Sequence, residues 1–279
     1  YLKEHADVPQ YIVDGGQGWR DPVSTAYEMI YCNEQIFCEK LSMLTENKSK
    51  LISNWIEKWL HLNKLVKDVI IQIDDEEINE GRLIFHLQNL VPEQSSIMVG
   101  NSMPIRDVDD FFHSNNKTIK LYGNRGVNGI DGLVSTALGI SAVSENTYLI
   151  VGDLSFYHDM NGLLAAKMHD LNVTILLINN NGGGIFSMLQ QAKHPTYFEL
   201  LFGTPTDLQF EHAAKLYSGK YFAVETWQQY VKAMETVQNE QGLKIIEVIT
   251  NRHENAEIRQ KLWENVSREI ENKLGEVLK

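Results

Sequence analysis

Two rhythms of apolar and polar residues alternate along most of this chain. Short apolar runs lie at residues 95–101 (SSIMVGN), 118–124 (TIKLYGN), 146–153 (NTYLIVGD), 172–180 (NVTILLINN), 220–225 (KYFAVE) and 244–250 (KIIEVIT). Between or before them, at residues 76–91, 105–112, 132–143, 156–170, 208–219 and 226–240, the pattern is helical. The short runs predict strands buried on both faces. At the end of the chain Ile258, Leu262, Val266, Ile270 and Leu274 repeat every four residues and predict a long helix. Upstream, Ile52, Trp55, Ile56, Trp59, Leu62, Val66 and Val69 predict another, which reads as a linker. Residues 1–30 contain VPQYIVDGGQGWRDP, turn-rich around one short apolar run, and read as the edge of a domain.

Strands alternating with helices predict βαβ units. The expected fold is therefore α/β: a doubly wound, six-stranded parallel sheet with helices on both faces. The expected division is the edge of one domain at 1–45, a linker helix at 46–67 and a ligand-binding domain at 68–279. In such sheets ligands bind beyond the carboxyl ends of the strands. The tips GNSMPIR, YGNRGVNG, GDLS and NNNGGG all fall at those ends.

Composition narrows the partners. The chain has 279 residues, 43% hydrophobic and 22% charged, ordinary globular values. Its 37 acidic and 25 basic residues give a net charge of −12, which argues against nucleic acid and anionic membranes as partners. No apolar run approaches the roughly 18 residues of a membrane span, and no signal peptide opens the chain. Cys32 and Cys38 have no neighbouring His/Cys cluster, so they read as reduced core residues of a cytoplasmic protein. Tyr1 in place of an initiating Met predicts a fragment of a longer polypeptide.

The chemistry concentrates between Val151 and Phe186. Asp153 ends one apolar run and Asn-Asn-Asn-Gly-Gly-Gly ends the next. Singly these are a helix cap and a turn. Together they offer a carboxylate on Asp153, an amide oxygen on Asn180 and an approachable carbonyl on Gly182. A hard cation such as Mg²⁺ prefers such an oxygen set, with phosphate oxygens beside it. The helix after Ser155 points backbone N–H groups at the same place. No Lys follows the glycines, so this is not a P-loop, and no G-x-G-x-x-G follows the first strand. His158 and Asp159 fall in the expected first turn of that helix and read as surface polar residues. His194 and His212 read the same way.

Asn180 lies 27 residues after Asp153, and GD-x-S…NN-x-G at this separation resembles the cofactor motif of the thiamin diphosphate (ThDP)-dependent decarboxylase and ligase superfamily. Leu154 stands where most members carry a third motif glycine. GNSMPIRD, GNRGVNGIDG, GDLSFYHDMN and NNNGGGIFS further resemble one branch, which shares that Leu: the 2-succinyl-5-enolpyruvyl-6-hydroxy-3-cyclohexene-1-carboxylate (SEPHCHC) synthases of menaquinone biosynthesis. The resemblance covers nearly the whole chain, as its C-terminal portion. It implies a transferase that decarboxylates 2-oxoglutarate through ThDP and adds the succinyl-semialdehyde carbanion to isochorismate. It implies Mg²⁺ or Mn²⁺ on Asp153, Asn180 and Gly182. The implied ThDP contacts are Ile130, under the folded cofactor, with Asp153, Leu154, Ser155, Asn180, Gly182, Gly183 and Ile185. Ser102, Arg106 and Arg125 are the implied carboxylate contacts, and Phe186 lines the pocket wall. The activating glutamate is expected in a separate N-terminal domain of a partner subunit, so no catalytic acid is assigned here. The implied assembly is a homodimer or homotetramer, and this chain alone is expected to be inactive. Two alternatives stand beside this reading: an acetohydroxyacid synthase-like ligase or 2-oxoacid decarboxylase, and a non-catalytic assembly module.

Overall fold

The computed structural model describes residues 1–16, 18–45, 53–72, 78–126 and 129–277. The start of the expected linker, residues 46–52, and Val127 and Asn128 of the YGNRGVNG tip lie outside the described residues. The chain forms two compact units, Tyr1–Lys64 and Leu65–Lys279.

The first unit holds two short parallel strands, β1 (Tyr11–Val13) and β2 (Glu28–Ile30), then helix α1 (Glu34–Thr45). Helix α2 (Ser53–Ile71) crosses the boundary between the units. Cys32 precedes α1 and is half-buried, and Cys38 on α1 is exposed. The expectation of core cysteines is therefore corrected: α1 buries none of its residues.

The second unit runs α3 (Glu80–Leu90), β3 (Ser96–Val99), α4 (Met103–Phe111), β4 (Lys120–Gly123), α5 (Leu133–Ser141) and β5 (Thr147–Gly152). It continues through α6 (Asp153–Asp159), α7 (Leu163–Met168), β6 (Val173–Asn179), α8 (Pro195–Phe198), α9 (Glu211–Leu216), β7 (Lys220–Val224), α10 (Trp227–Val237), β8 (Leu243–Ile249) and α11 (Arg252–Val277). The six strands form one all-parallel sheet in the order β4-β3-β5-β6-β8-β7. The expected α/β fold is the observed one.

Strand periodicity explains the layers. Successive side chains point to opposite faces. Ile150, Leu176, Ile178, Ile246 and Val248 pack on one face against α3, α4, α10 and α11, through Leu83, Phe111, Tyr230 and Leu262 among others. Leu149, Val151, Ile175, Leu177 and Ile245 pack on the other against α5, α6, α7 and α9, through Leu133, Phe156, Leu163 and Ala214. Two faces buried in this way need continuous apolar runs. Residues 156–170, read as one helix, are two, joined by a 3-10 turn at Met160–Gly162. His158 and Asp159 consequently sit in the last turn of α6, not a first turn.

Candidate functional site

All strands being parallel, their carboxyl ends share one edge of the sheet. The chain moves outward from β3 to β4, then returns to place β5 on the other side of β3. A reversal of this kind leaves a crevice at the strand ends. The crevice is a cavity of about 1110 Å³, including its open mouth, lined from beyond the ends of β3, β4, β5 and β6. All twelve expected site residues line it: Ser102, Arg106, Arg125, Ile130, Asp153, Leu154, Ser155, Asn180, Gly182, Gly183, Ile185 and Phe186.

Asp153 opens α6 and is only 2% exposed. Its Oδ2 accepts a hydrogen bond from the Gly182 N–H at 2.8 Å, so the two motif halves touch directly. Burial pushes its carboxyl up to about 6, and the charge of Glu80 pushes the same way. Backbone N–H donors, including those of Leu154 and Gly182, pull against both. A buried carboxylate of this kind gains from a cation beside it.

Asn180 directly follows β6 and is buried. Its Nδ2 donates to Glu80 Oε1 at 2.8 Å. Its Oδ1 is buried and accepts no hydrogen bond. A buried, unpartnered acceptor costs about 1–3 kcal/mol unless something meets it.

The turn that follows is held from several sides. Asn181 adopts a left-handed conformation, φ 55°. Its Oδ1 accepts from the Thr206 and Asp207 N–H groups, both at 3.0 Å, and its carbonyl accepts from Arg252 Nη1. Gly182 has φ +141°, and a Cβ there would lie 2.1 Å from the Gly203 carbonyl oxygen. Only glycine fits.

At the mouth, Ser102 precedes α4 with φ 72°, and its carbonyl accepts from Arg106 Nη1 at 2.6 Å. Arg125 Nη1 donates to Asn101 Oδ1 at 2.7 Å. Asn101 is itself buried and donates to the Asn124 and Gly129 carbonyls. Both arginines are exposed, Arg106 bonded to the Ser102 carbonyl and Arg125 to the Asn101 side chain, with donors to spare. Ile130, Ile185 and Phe186 add half-buried apolar surface, with Phe186 packed on Phe202 at 5.4 Å between ring centroids.

This donor set fits a hard divalent cation: one carboxylate, one orphaned amide oxygen and a carbonyl in a turn that tolerates no side chain. Among the described residues no three His, Cys, Asp or Glu side chains gather into a metal cluster. Three protein oxygens leave an octahedral cation positions for others, as Mg²⁺ keeps for substrate phosphates.

His158 faces Asp131 at 3.7 Å on the surface, and Asp159 accepts from Ser135 N–H at 2.8 Å. Neither lines the cavity. Seven further lining residues were not singled out as site residues from the sequence: Glu80, Asn101, Met103, Pro104, Gly152, Ile178 and Gly184. Arg252, which holds the glycine turn, was not singled out either. Asn101 could have been singled out, since it ends an apolar run just as Asn180 does. Nothing local marks Glu80.

Comparison with known proteins narrows the chemistry. Residues 110–248 match the family model described as thiamine pyrophosphate enzyme, C-terminal TPP binding domain. The chain is 43% identical over 269 residues to the 2-succinyl-5-enolpyruvyl-6-hydroxy-3-cyclohexene-1-carboxylate synthase of Listeria welshimeri, covering 96% of this chain and 46% of that protein. It is 46% identical over 271 residues to the Geobacillus thermodenitrificans synthase, covering 97% and 46%. This chain is homologous over nearly its whole length to part of proteins named SEPHCHC synthase. The Bacillus cytotoxicus synthase is similar to it at 43% over 276 residues, 98% of this chain and 47% of that one. The chain thus spans about half the length of the relatives it matches. Among solved structures, a candidate thiamin diphosphate-dependent enzyme from Mycobacterium smegmatis superposes with a TM-score of 0.52 at 16% identity. It covers 63% of this chain and 32% of its own, and shares the fold. No described helix is long and apolar enough to cross a membrane.

Proposed function

We propose that this chain holds the diphosphate of ThDP through Mg²⁺ or Mn²⁺, ligated by Asp153, Asn180 and Gly182. The observation that carries the reading is Asn180 Oδ1, buried without a partner beside a buried carboxylate at the strand ends. Leu154, Ser155 and Gly183 border the diphosphate, and Ile130 and Ile185 border the organic rings. Residues 68–279 are the diphosphate-binding domain. Residues 1–45 close a central domain, and 46–67 link the two.

The whole protein is proposed to be a cytoplasmic SEPHCHC synthase, joining 2-oxoglutarate to isochorismate with loss of CO₂ in menaquinone biosynthesis. Bound there, ThDP would supply the electron sink for the decarboxylation and the carbon–carbon bond formation. This chain's residues do the binding. Arg106 and Arg125 project charge-assisted donors for the carboxylates of both substrates, with Ser102 beside them. Phe186 and Ile185 keep water from the reacting face.

Among the described residues, no carboxylate lining the cavity is free to serve as the activating acid. Asp153 is committed to the cation, and Glu80 is engaged with Asn180, Thr250 and Asn255. The activating glutamate is proposed to come from an N-terminal domain of a partner subunit, in a homodimer or homotetramer. Residues 1–279 purified alone are expected to give no product at saturating ThDP and Mg²⁺. Adding the remaining part of the protein, in cis or in trans, restores turnover. Product formation by residues 1–279 alone would refute this division of labour.

A further inference from the structure

We infer that Glu80 is a positioning residue: it fixes the Asn180 side-chain amide so that its oxygen, and not its nitrogen, faces the cation. The inference rests on the proposed cation site and goes beyond it.

An Asn side chain carries an oxygen and an NH₂ group of almost equal shape, and only the oxygen can ligate a metal. Something must therefore decide which way the amide lies. Glu80 opens α3, 100 residues before Asn180, and is 4% exposed. Its Oε1 accepts three hydrogen bonds: from Asn180 Nδ2 at 2.8 Å, Asn255 Nδ2 at 3.0 Å and Thr250 Oγ1 at 3.1 Å. The Asn255 amide is itself fixed, because its Oδ1 accepts from the Glu80 backbone N–H at 2.9 Å and its Nδ2 also donates to the Asn251 carbonyl at 2.8 Å. Oε1 thus faces donors alone, and Asn180 must present N–H to it. Turning the amide over would set oxygen against oxygen at Glu80 and N–H against the cation. The unpartnered Oδ1 of Asn180 is the other half of this arrangement.

The test separates reach from charge. Mn²⁺ binding is measured by electron paramagnetic resonance at saturating ThDP, in the full-length protein, for wild type, Glu80→Gln and Glu80→Asp. Gln keeps the length and an acceptor oxygen but loses the charge. Asp keeps the charge but falls short by one methylene. Positioning predicts Mn²⁺ affinity near wild type for Glu80→Gln and a loss of about tenfold or more for Glu80→Asp. Should Glu80→Asp not fold, Glu80→Met carries the same expected loss. Thr250→Val removes another donor to Oε1 but leaves Asn180 alone, and should stay within about threefold of wild type. The reverse order of Gln and Asp, equal affinities in all variants, or a Thr250→Val loss matching that of Glu80→Asp would each overturn the inference. Wild type that fails to bind Mn²⁺ and ThDP together would instead overturn the cation site itself, and this inference with it.

Discussion

At the residue scale, the two sides of the cavity have different physical character. The glycine turn is rigid and buried, whereas Arg106 and Arg125 reach into the open mouth on long side chains. Loss should divide the same way. Arg106→Ala or Arg125→Ala in the full-length protein removes a charged hydrogen-bond donor to a substrate carboxylate, a cost of about 1.5–3 kcal/mol. The expected result is a fall of roughly one to two decades in kcat/KM with ThDP binding unchanged. Wild-type kinetics in both variants would dismiss the clamp. Gly182→Ala forces a Cβ against the Gly203 carbonyl and destabilises the turn by about 1–3 kcal/mol. Urea denaturation should register that loss, and cation-dependent ThDP binding should disappear with it. The residues found from sequence were those with a local signature: an acid after an apolar run, glycines after asparagines. Glu80 has none. Its partners lie 100, 170 and 175 positions away, so only the folded chain shows what it does.

At the element scale, α4 and α11 are tied by Arg259, which pairs with both Asp107 and Asp110. Asp107 is 1% exposed. Burial, reinforced by the nearby charge of Glu80, pushes its carboxyl from 3.8 to about 8 against the pull of Arg259. A folded-state value above the unfolded one favours the protonated form. The stability it contributes is therefore present below about 4 and lost as pH rises through about 8. Melting temperature of the metal-free protein should decline across that window, and the decline should be shallower in Asp107→Asn. Identical slopes for the two proteins would remove Asp107 from the account. The inner strands β3, β5, β6 and β8 were legible because burial on both faces leaves unbroken apolar runs; the edge strands β4 and β7 correct that expectation, since β4 is exposed throughout and β7 buries only Val224. β2 was not, since its three residues, Glu28–Ile30, carry no period. The break between α6 and α7 was missed because apolar spacing continues through the Met160–Gly162 turn. The core placement of Cys32 and Cys38 failed because cysteine's usual burial says nothing about a helix that buries no face.

At the scale of the whole molecule, the sheet brings residues from Ser102 to Phe186 to one edge, and the chain spans about half the length of its relatives. The contribution proposed for this part of the protein is a cation–diphosphate site. Isothermal titration of ThDP into the full-length protein, with and without Mg²⁺, tests it most directly when wild type is compared with Asp153→Asn. A neutral amide cannot offset the charge of the cation as a carboxylate does. The account predicts Mg²⁺-dependent ThDP binding by wild type and none by the variant. Equal binding by both proteins, or wild-type binding that is indifferent to Mg²⁺, would contradict it.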